Sequence, residues 1–310
     1  MPMTAYQTEN SPYVLVGIDG SLSALDAAAW AAESAAARNV PLRLVHVVDP
    51  GEAQAELGPW SRQRILKYLE SKAVAVLAEA RHKVADLEPE VAVETSCLTG
   101  RPLPTLIALS REALMTVVGS GRSDPASASH AGSVAVSMSA HAYGPVVVVR
   151  GTCSAFGDEQ RQGVVVGVDS SEAADKATEW AFSEAALRGV DLTAVFSCGD
   201  LPRGLDDSEP EPRWWLEYQV QQKKVLTRRL GQWSGCHPGV VAHCEVTTGR
   251  PAWALMQHAR EAQLIVVGSR GRSEFVGSVL GSTSHALIHH APCPVMIVPS
   301  NAVSNRSGQP

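Results

Sequence analysis

The residues best placed to do chemistry lie between Leu264 and Ser282, in the stretch LIVVGSRGRSEFVGSVLGS. Gly268, Gly271, Gly277 and Gly281 are interleaved with Ser269, Ser278 and Ser282, and Arg272 adds a cation. Glycines that expose backbone amides, followed by a helix start, make an anion site: the amides point one way and no Cβ keeps a phosphate off. The chemistry implied is recognition of the phosphates of a nucleotide. Ser282 reads as the helix N-cap, free either to cap its own helix or to donate its hydroxyl to a phosphate. A second group of the same kind is Asp169, which ends the run GVVVGVD and is followed by two serines. A carboxylate there can accept from a ribose hydroxyl or an adenine amine, and can help hold a Mg ion bridging phosphates. It can equally cap a turn, as aspartates after strands commonly do.

Strands must carry both groups to one place. Leu264 to Val267 has the length and branching of a buried parallel strand, and so does Gly163 to Val168. In an open parallel sheet a ligand sits beyond the carboxyl ends of the strands, where the strand order reverses. If the strand before Asp169 neighbours the strand before Gly268, both groups face one crevice. From the start, Tyr13–Ile18, Pro41–Val48, Glu90–Ser96, Leu114–Val118 and Pro145–Arg150 read as strands. Ala24–Arg38, Trp60 to about Ala85, and Pro102 to about Glu112 read as helices between them.

The pattern then repeats. Asp169 answers Asp19, and Trp180 answers Trp30, each 150 residues on; Thr248-Gly249-Arg250-Pro251 answers Thr99-Gly100-Arg101-Pro102, and Val266–Ser269 answers Val117–Ser120, each 149 on. A near-constant displacement over most of the chain is a tandem duplication. Alternating strands and helices make each half an α/β unit with a parallel sheet, right-handed crossovers and helices on both faces. The expected domains are 12–150 and 163–299, joined by a polar linker at 151–162 and followed by a flexible tail at 300–310.

Composition narrows the function classes. The 310 residues are 45% hydrophobic and 19% charged, as in a globular protein with a sizeable core, and the net charge of -6 gives no general pull toward nucleic acid. Six scattered cysteines form no CxxC pair, which suits small buried thiols in a reducing compartment. The first twelve residues have no basic start or apolar core, and no apolar run approaches the roughly 20 residues of a membrane span, so a cytoplasmic location is expected. There is no GxxxxGK[ST], and the glycines after Val118 do not complete a GxGxxG. Without a GxSxG elbow, a serine hydrolase has no support.

Gly268, Gly271, Gly281 and Ser282 together resemble the G-x2-G-x9-G-[ST] signature of ATP-binding universal stress proteins. The aspartates closing the first strands (Asp19, Asp169), the Gly-Arg-Pro turns and the Pro-Val-rich last strands are similar too, over both halves. The chain resembles the tandem members of that family found in actinobacteria. That resemblance implies open, twisted five-stranded Rossmann-like sheets, ATP as the ligand, and a role in stress adaptation or growth arrest. It also implies pairing of the last strands, here most simply Val146–Val149 with Val295–Val298 inside one chain. Carried over by position, Val195 takes the adenine place in the second half. In the first half Asp19, Val45, Gly119, Gly132 and Ser133 match the family's positions.

The first half departs at one point: Arg122 stands where the second glycine belongs, and Gly121 comes one residue early. Arg122 either blocks the phosphate or pairs with it, or a one-residue shift lets Gly121 serve. Two unequal ATP sites are therefore expected, the second tighter. A nucleotide-responsive regulator is the leading reading. The alternatives are a slow ATPase or nucleotidyl transferase, and a scaffold for an unidentified protein partner with vestigial nucleotide sites. Further association into a homodimer is open. His285 and His289, four apart, have metal-ligand spacing but no acidic partner, and read as ordinary surface or helix-end histidines. Trp214-Trp215 reads as a helix start packed on the sheet, with a partner contact as the alternative.

Overall fold

Runs of valine, leucine and isoleucine bounded by glycine, aspartate or proline become strands, and the alanine-rich or amphipathic stretches between them become helices. The computed structural model describes residues 12–51, 62–121, 131–151, 163–199, 211–271 and 280–302. Arg122, Arg272, most of the expected linker and the end of the expected tail lie outside the described residues, as do Trp60, Gly277 and Ser278. The first half runs β1 (Val14–Gly17), α1 (Leu22–Arg38), β2 (Leu42–Val48), α2 (Arg62–Leu87), β3 (Val93–Thr99), α3 (Pro102–Leu109), β4 (Met115–Gly119), α4 (Ser133–His141) and β5 (Val146–Val149). The second runs β6 (Val164–Gly167), α5 (Glu172–Arg188), β7 (Leu192–Ser197), α6 (Arg213–Ser234), β8 (Ala242–Thr247), α7 (Pro251–His258), β9 (Leu264–Gly268), α8 (Ser282–His290) and β10 (Val295–Val298).

The strands join into a single ten-stranded sheet in the order β3-β2-β1-β4-β5-β10-β9-β6-β7-β8. Within each half every pairing is parallel, and the order reverses between β1 and β4, and between β6 and β9. The halves meet where β5 pairs antiparallel with β10, Val148 opposite Val295 and Val146 opposite Ile297. Antiparallel pairing of equivalent strands is what a two-fold relation between duplicated units produces, and it removes two sheet edges at once. The last-strand pairing implied by the sequence resemblance is thus present within the chain.

The period of two along each strand sends side chains to two cores. Val14, Val16, Leu42 and Leu44 face α1 and α2, while Leu15, Val146 and Val148 face α3 and α4. Trp30 and Trp180, the repeated tryptophans, are fully buried on the first face. Each removes on the order of 150–250 Å² from water, which makes it a principal apolar anchor of its half.

The same face carries the polar part of the seam between halves. Glu184 of α5, fully buried, receives Arg38 of α1 and Arg188 of its own helix, the latter at 2.5 Å. Arg188 also lies over the Trp30 ring at 5.6 Å. Burial opposes the charge on Glu184, but Arg38 and Arg188 outweigh it and hold the carboxyl below its usual range.

Several sequence readings shift. The third strand starts at Val93 instead of Glu90, because a turn closed by Val91 N–H donating to Glu88 O follows α2. The helix from Pro102 stops at Leu109, before Glu112. Only one of the paired tryptophans packs inward: Trp215 is buried and Trp214 is 52% exposed. The cysteines are not uniformly buried, since Cys97 and Cys236 are exposed thiols.

Candidate functional site

In the second half the reversal between β6 and β9 opens a cavity of about 330 Å³ beyond the strands' carboxyl ends. The sequence-derived residues Asp169, Val195, Gly268, Gly271, Gly281 and Ser282 all line it. Because β6 and β9 are neighbours, Asp169 and the glycine turn do face one crevice. One wall is apolar, with Leu255, Val267 and Pro251 beside Val195. The opposite wall is the first turn of α8, where Ser282, Thr283 and Ser284 follow one another. An apolar wall facing amides and hydroxyls suits a ligand with one apolar and one anionic end.

Helix capping sets this wall apart from the starts of α1 and α5. Ser21 and Ser171 cap α1 and α5, their hydroxyls accepting from Ala24 and Ala174 amides at 3.2 Å. At α8 the N-cap is Gly281, with no side-chain cap, and Ser282 is the first helical residue. The expectation that Ser282 caps the helix is therefore corrected. The glycine leaves the first-turn amides to an external acceptor, where the helix dipole also favours an anion. Ser284 is committed otherwise: its hydroxyl donates to Gly268 O at 2.7 Å and fixes the helix to the strand end.

The glycines divide by role. A Cβ at Gly268 would stand 2.8 Å from Ala173 atoms, so this glycine admits the start of α5 against β9, and its substitution would report on packing before it reported on phosphate. At Gly271 a Cβ would stand 2.7 Å from Asp169 Oδ2, so that glycine makes room for the carboxylate. At Gly281 a Cβ would meet only ordinary contacts, the nearest being Ser269 O at 3.5 Å. The loop closes with Gly281 N–H donating to Ser269 O at 2.8 Å, and Gly132 N–H repeats that bond to Ser120 O at 2.7 Å.

Asp169 caps its turn and also faces the crevice. Its Oδ1 accepts from the amide and hydroxyl of Ser171, at 2.8 and 2.5 Å, which is a turn cap. Its Oδ2 lies over Gly271 at the crevice. Arg229 of α6 donates to Asp169 O at 2.6 Å and pairs with Asp175, anchoring the turn from behind. The Val195 carbonyl accepts from Val168 N–H at 2.9 Å, as that of Val45 does from Ile18 N–H at 2.8 Å. What these valines bring to the crevice is chiefly an apolar side chain.

The first half has a corresponding cavity of about 180 Å³, lined by Asp19, Val45, Gly119, Gly121, Gly132 and Ser133. Gly121 packs on Gly132 with φ of 78°, a left-handed value that favours glycine, while Arg122 lies outside the described residues. Ser23 takes its amide, Gly121 N–H donating to Ser23 Oγ at 3.2 Å, whereas Ala173 stands in the second half. The helix start reads Ser133-Val134-Ala135 in place of three hydroxyl residues. The first crevice is smaller and offers fewer donors.

Sequence reasoning passed over Arg270, Thr283 and Ser284, which also line the larger cavity. The hydroxyl run after Gly281 was a readable signal; Arg270, beside Gly271, was another. His289 is not a surface histidine: it is buried, its ring 4.4 Å from that of His285. Among the described residues no group of three or more His, Cys, Asp or Glu could hold a metal, and no helix is long and apolar enough to cross a membrane.

Comparison with known proteins adds to this geometry. A model of the Universal stress protein family matches residues 13–150 and again 161–299. A universal stress protein of Mycobacterium tuberculosis is 35% identical over 315 residues, covering 95% of this chain and 96% of that protein. One from Mycolicibacterium smegmatis is 36% identical over 291 residues, covering 92% and 96%. Among solved structures, a universal stress protein from Archaeoglobus fulgidus aligns with a TM-score of 0.68 at 20% identity, covering 93% of this chain and 98% of that one, a likeness of fold.

Proposed function

Because the chain belongs to the universal stress protein family, we propose that it is an ATP-binding regulator of stress adaptation or growth arrest whose second crevice is the tighter site. The observation that carries this is the uncapped first turn of α8, opening onto a cavity that has an apolar slot at its other end. Phosphates take the free amides with the Ser282 and Thr283 hydroxyls, and the base lies against Val195, Val267 and Leu255.

Mg fits as a companion of the phosphates. Asp169 is the one carboxylate among the described residues lining this cavity, and Mg is usually held by one or two carboxylates plus phosphate oxygens. Asp169 Oδ2 would take one coordination position, and the ion would neutralise phosphate charge. With Oδ1 committed to Ser171, that same side chain is a poor general base, which favours a sensor over a robust ATPase.

The larger volume, the two uncommitted hydroxyls and the Ala173 position favour the second crevice over the first. The deciding experiment is nucleotide content. Protein purified without added ligand is denatured, and the released molecules are identified by chromatography and mass spectrometry, followed by calorimetric titration with ATP and Mg. Adenine nucleotide near one equivalent, with a weaker second site, is expected. Two equal sites would refute the asymmetry; no nucleotide and no uptake would refute ATP binding.

A further inference from the structure

The two crevices are connected by one helix. The first turn of α8 lines the second crevice, while its last turn reaches across the seam to the first half. There Ala131 N–H donates to His289 Nδ1 at 2.9 Å. Ala131 directly precedes Gly132 and Ser133, both of which line the first crevice. From Ser282 to His289 is seven residues, about 10 Å of helix.

A part-buried amide needs an acceptor, and this one finds it in the other half of the chain. Accepting at Nδ1 fixes the imidazole as the tautomer with its proton on Nε2. Arg150, at the end of β5, secures the same turn by donating from Nη2 to Ile288 O at 3.1 Å. The histidine has no counterpart in the first half. The position equivalent to His289 in the first half is Ala140, whose side chain offers no acceptor.

We propose that His289 is a positioning residue for the first crevice, through which the second half holds the backbone entering the first half's glycine turn. The first crevice is then complete only with α8 seated. Given the reading above that the crevices take nucleotide, on which this extension rests, occupation at the start of α8 is felt at Ala131.

The test compares His289→Asn with His289→Leu in the full chain, by site-resolved amide hydrogen exchange without ligand. Asparagine can offer Oδ1 near the place of Nδ1, whereas leucine keeps apolar bulk and offers no acceptor. Exchange at Ala131 is expected to quicken about tenfold or more in the leucine variant and to stay within about threefold of wild type in the asparagine variant. Wild-type exchange in the leucine variant would overturn the proposal. So would equal acceleration in both variants, which would make His289 a packing residue only. No nucleotide enters this comparison, so failure to bind ATP would remove the proposed function, while the role of His289 is decided by exchange alone.

Discussion

Replacing Gly281 with serine should separate phosphate binding from folding. Gly281 has φ of -67° and ψ of 151°, close to the -82° and 154° of Ser171, which already caps α5. Its Cβ position meets Ser269 O at 3.5 Å and Arg270 Cα at 3.6 Å, both ordinary contacts. The new hydroxyl would cap α8 as Ser171 caps α5, a gain over glycine of a few tenths of a kcal/mol. The melting temperature of the free protein should hold or rise by about 1 °C. That cap occupies an amide needed by phosphate. A hydrogen bond to a charged group contributes about 1.5–3 kcal/mol, so ATP affinity should fall about tenfold to a hundredfold. Calorimetric titration with ATP and Mg reads the loss, and a melt without ligand reads the fold. A stable Gly281→Ser protein that binds ATP within about twofold of wild type would refute the assignment of the α8 amides to phosphate.

Gly268→Ala should behave oppositely, because its Cβ would stand 2.8 Å from Ala173 and must push α5 off β9. Overpacking of that kind costs about 1–3 kcal/mol, visible as a lowered denaturation midpoint before any ligand is added. Glu184→Gln removes the carboxylate that Arg38 and Arg188 share inside the fold and should cost about 3–5 kcal/mol. The Glu184 carboxyl is held below its ordinary 4.5 in the fold, so its stabilisation is full above that pH and fades as pH falls through the lowered value. The gap between wild type and the glutamine variant should accordingly be widest at neutral pH and narrow in acid, as followed by urea midpoints across the range.

Much of this fold was legible because the duplication prints each signal twice. The strands at Val164 and Leu264 were plain from buried runs ending in glycine or aspartate, whereas their adjacency was only a condition until the sheet order supplied it. Less legible was anything decided by a contact across the sheet. Nothing local marks Gly268 as room for Ala173, since the two are 95 residues apart and meet only when α5 lies on β9. Ser282 looked like a cap because a serine before a helical pattern often is one; the tight return of Gly281 N–H to Ser269 O moved the boundary by one residue. The strand start expected at Glu90 moved to Val93 because of a turn closed by Val91 N–H donating to Glu88 O, and Pro89 at the second position of that turn was a readable signal for it.

Three substitutions between the halves fall at points where symmetric pairing of identical units would have forbidden them. Glu184 stands where the first half has Ser34, Ala173 where it has Ser23, and His289 where it has Ala140. In a pair of identical first halves, Ser34 would stand where Glu184 receives Arg38 and Arg188. In a pair of identical second halves, each crevice would be equally open. Fusion in one chain lets a single carboxylate serve Arg38 and Arg188 together, and lets one half give up donors while the other keeps them. The buried Arg–Glu–Arg group need not add net stability, because desolvation offsets much of its attraction, but removing its carboxylate would leave buried positive charge at the seam. The unlike halves meet at the β5–β10 seam, and it is across this seam that α8 reaches Ala131.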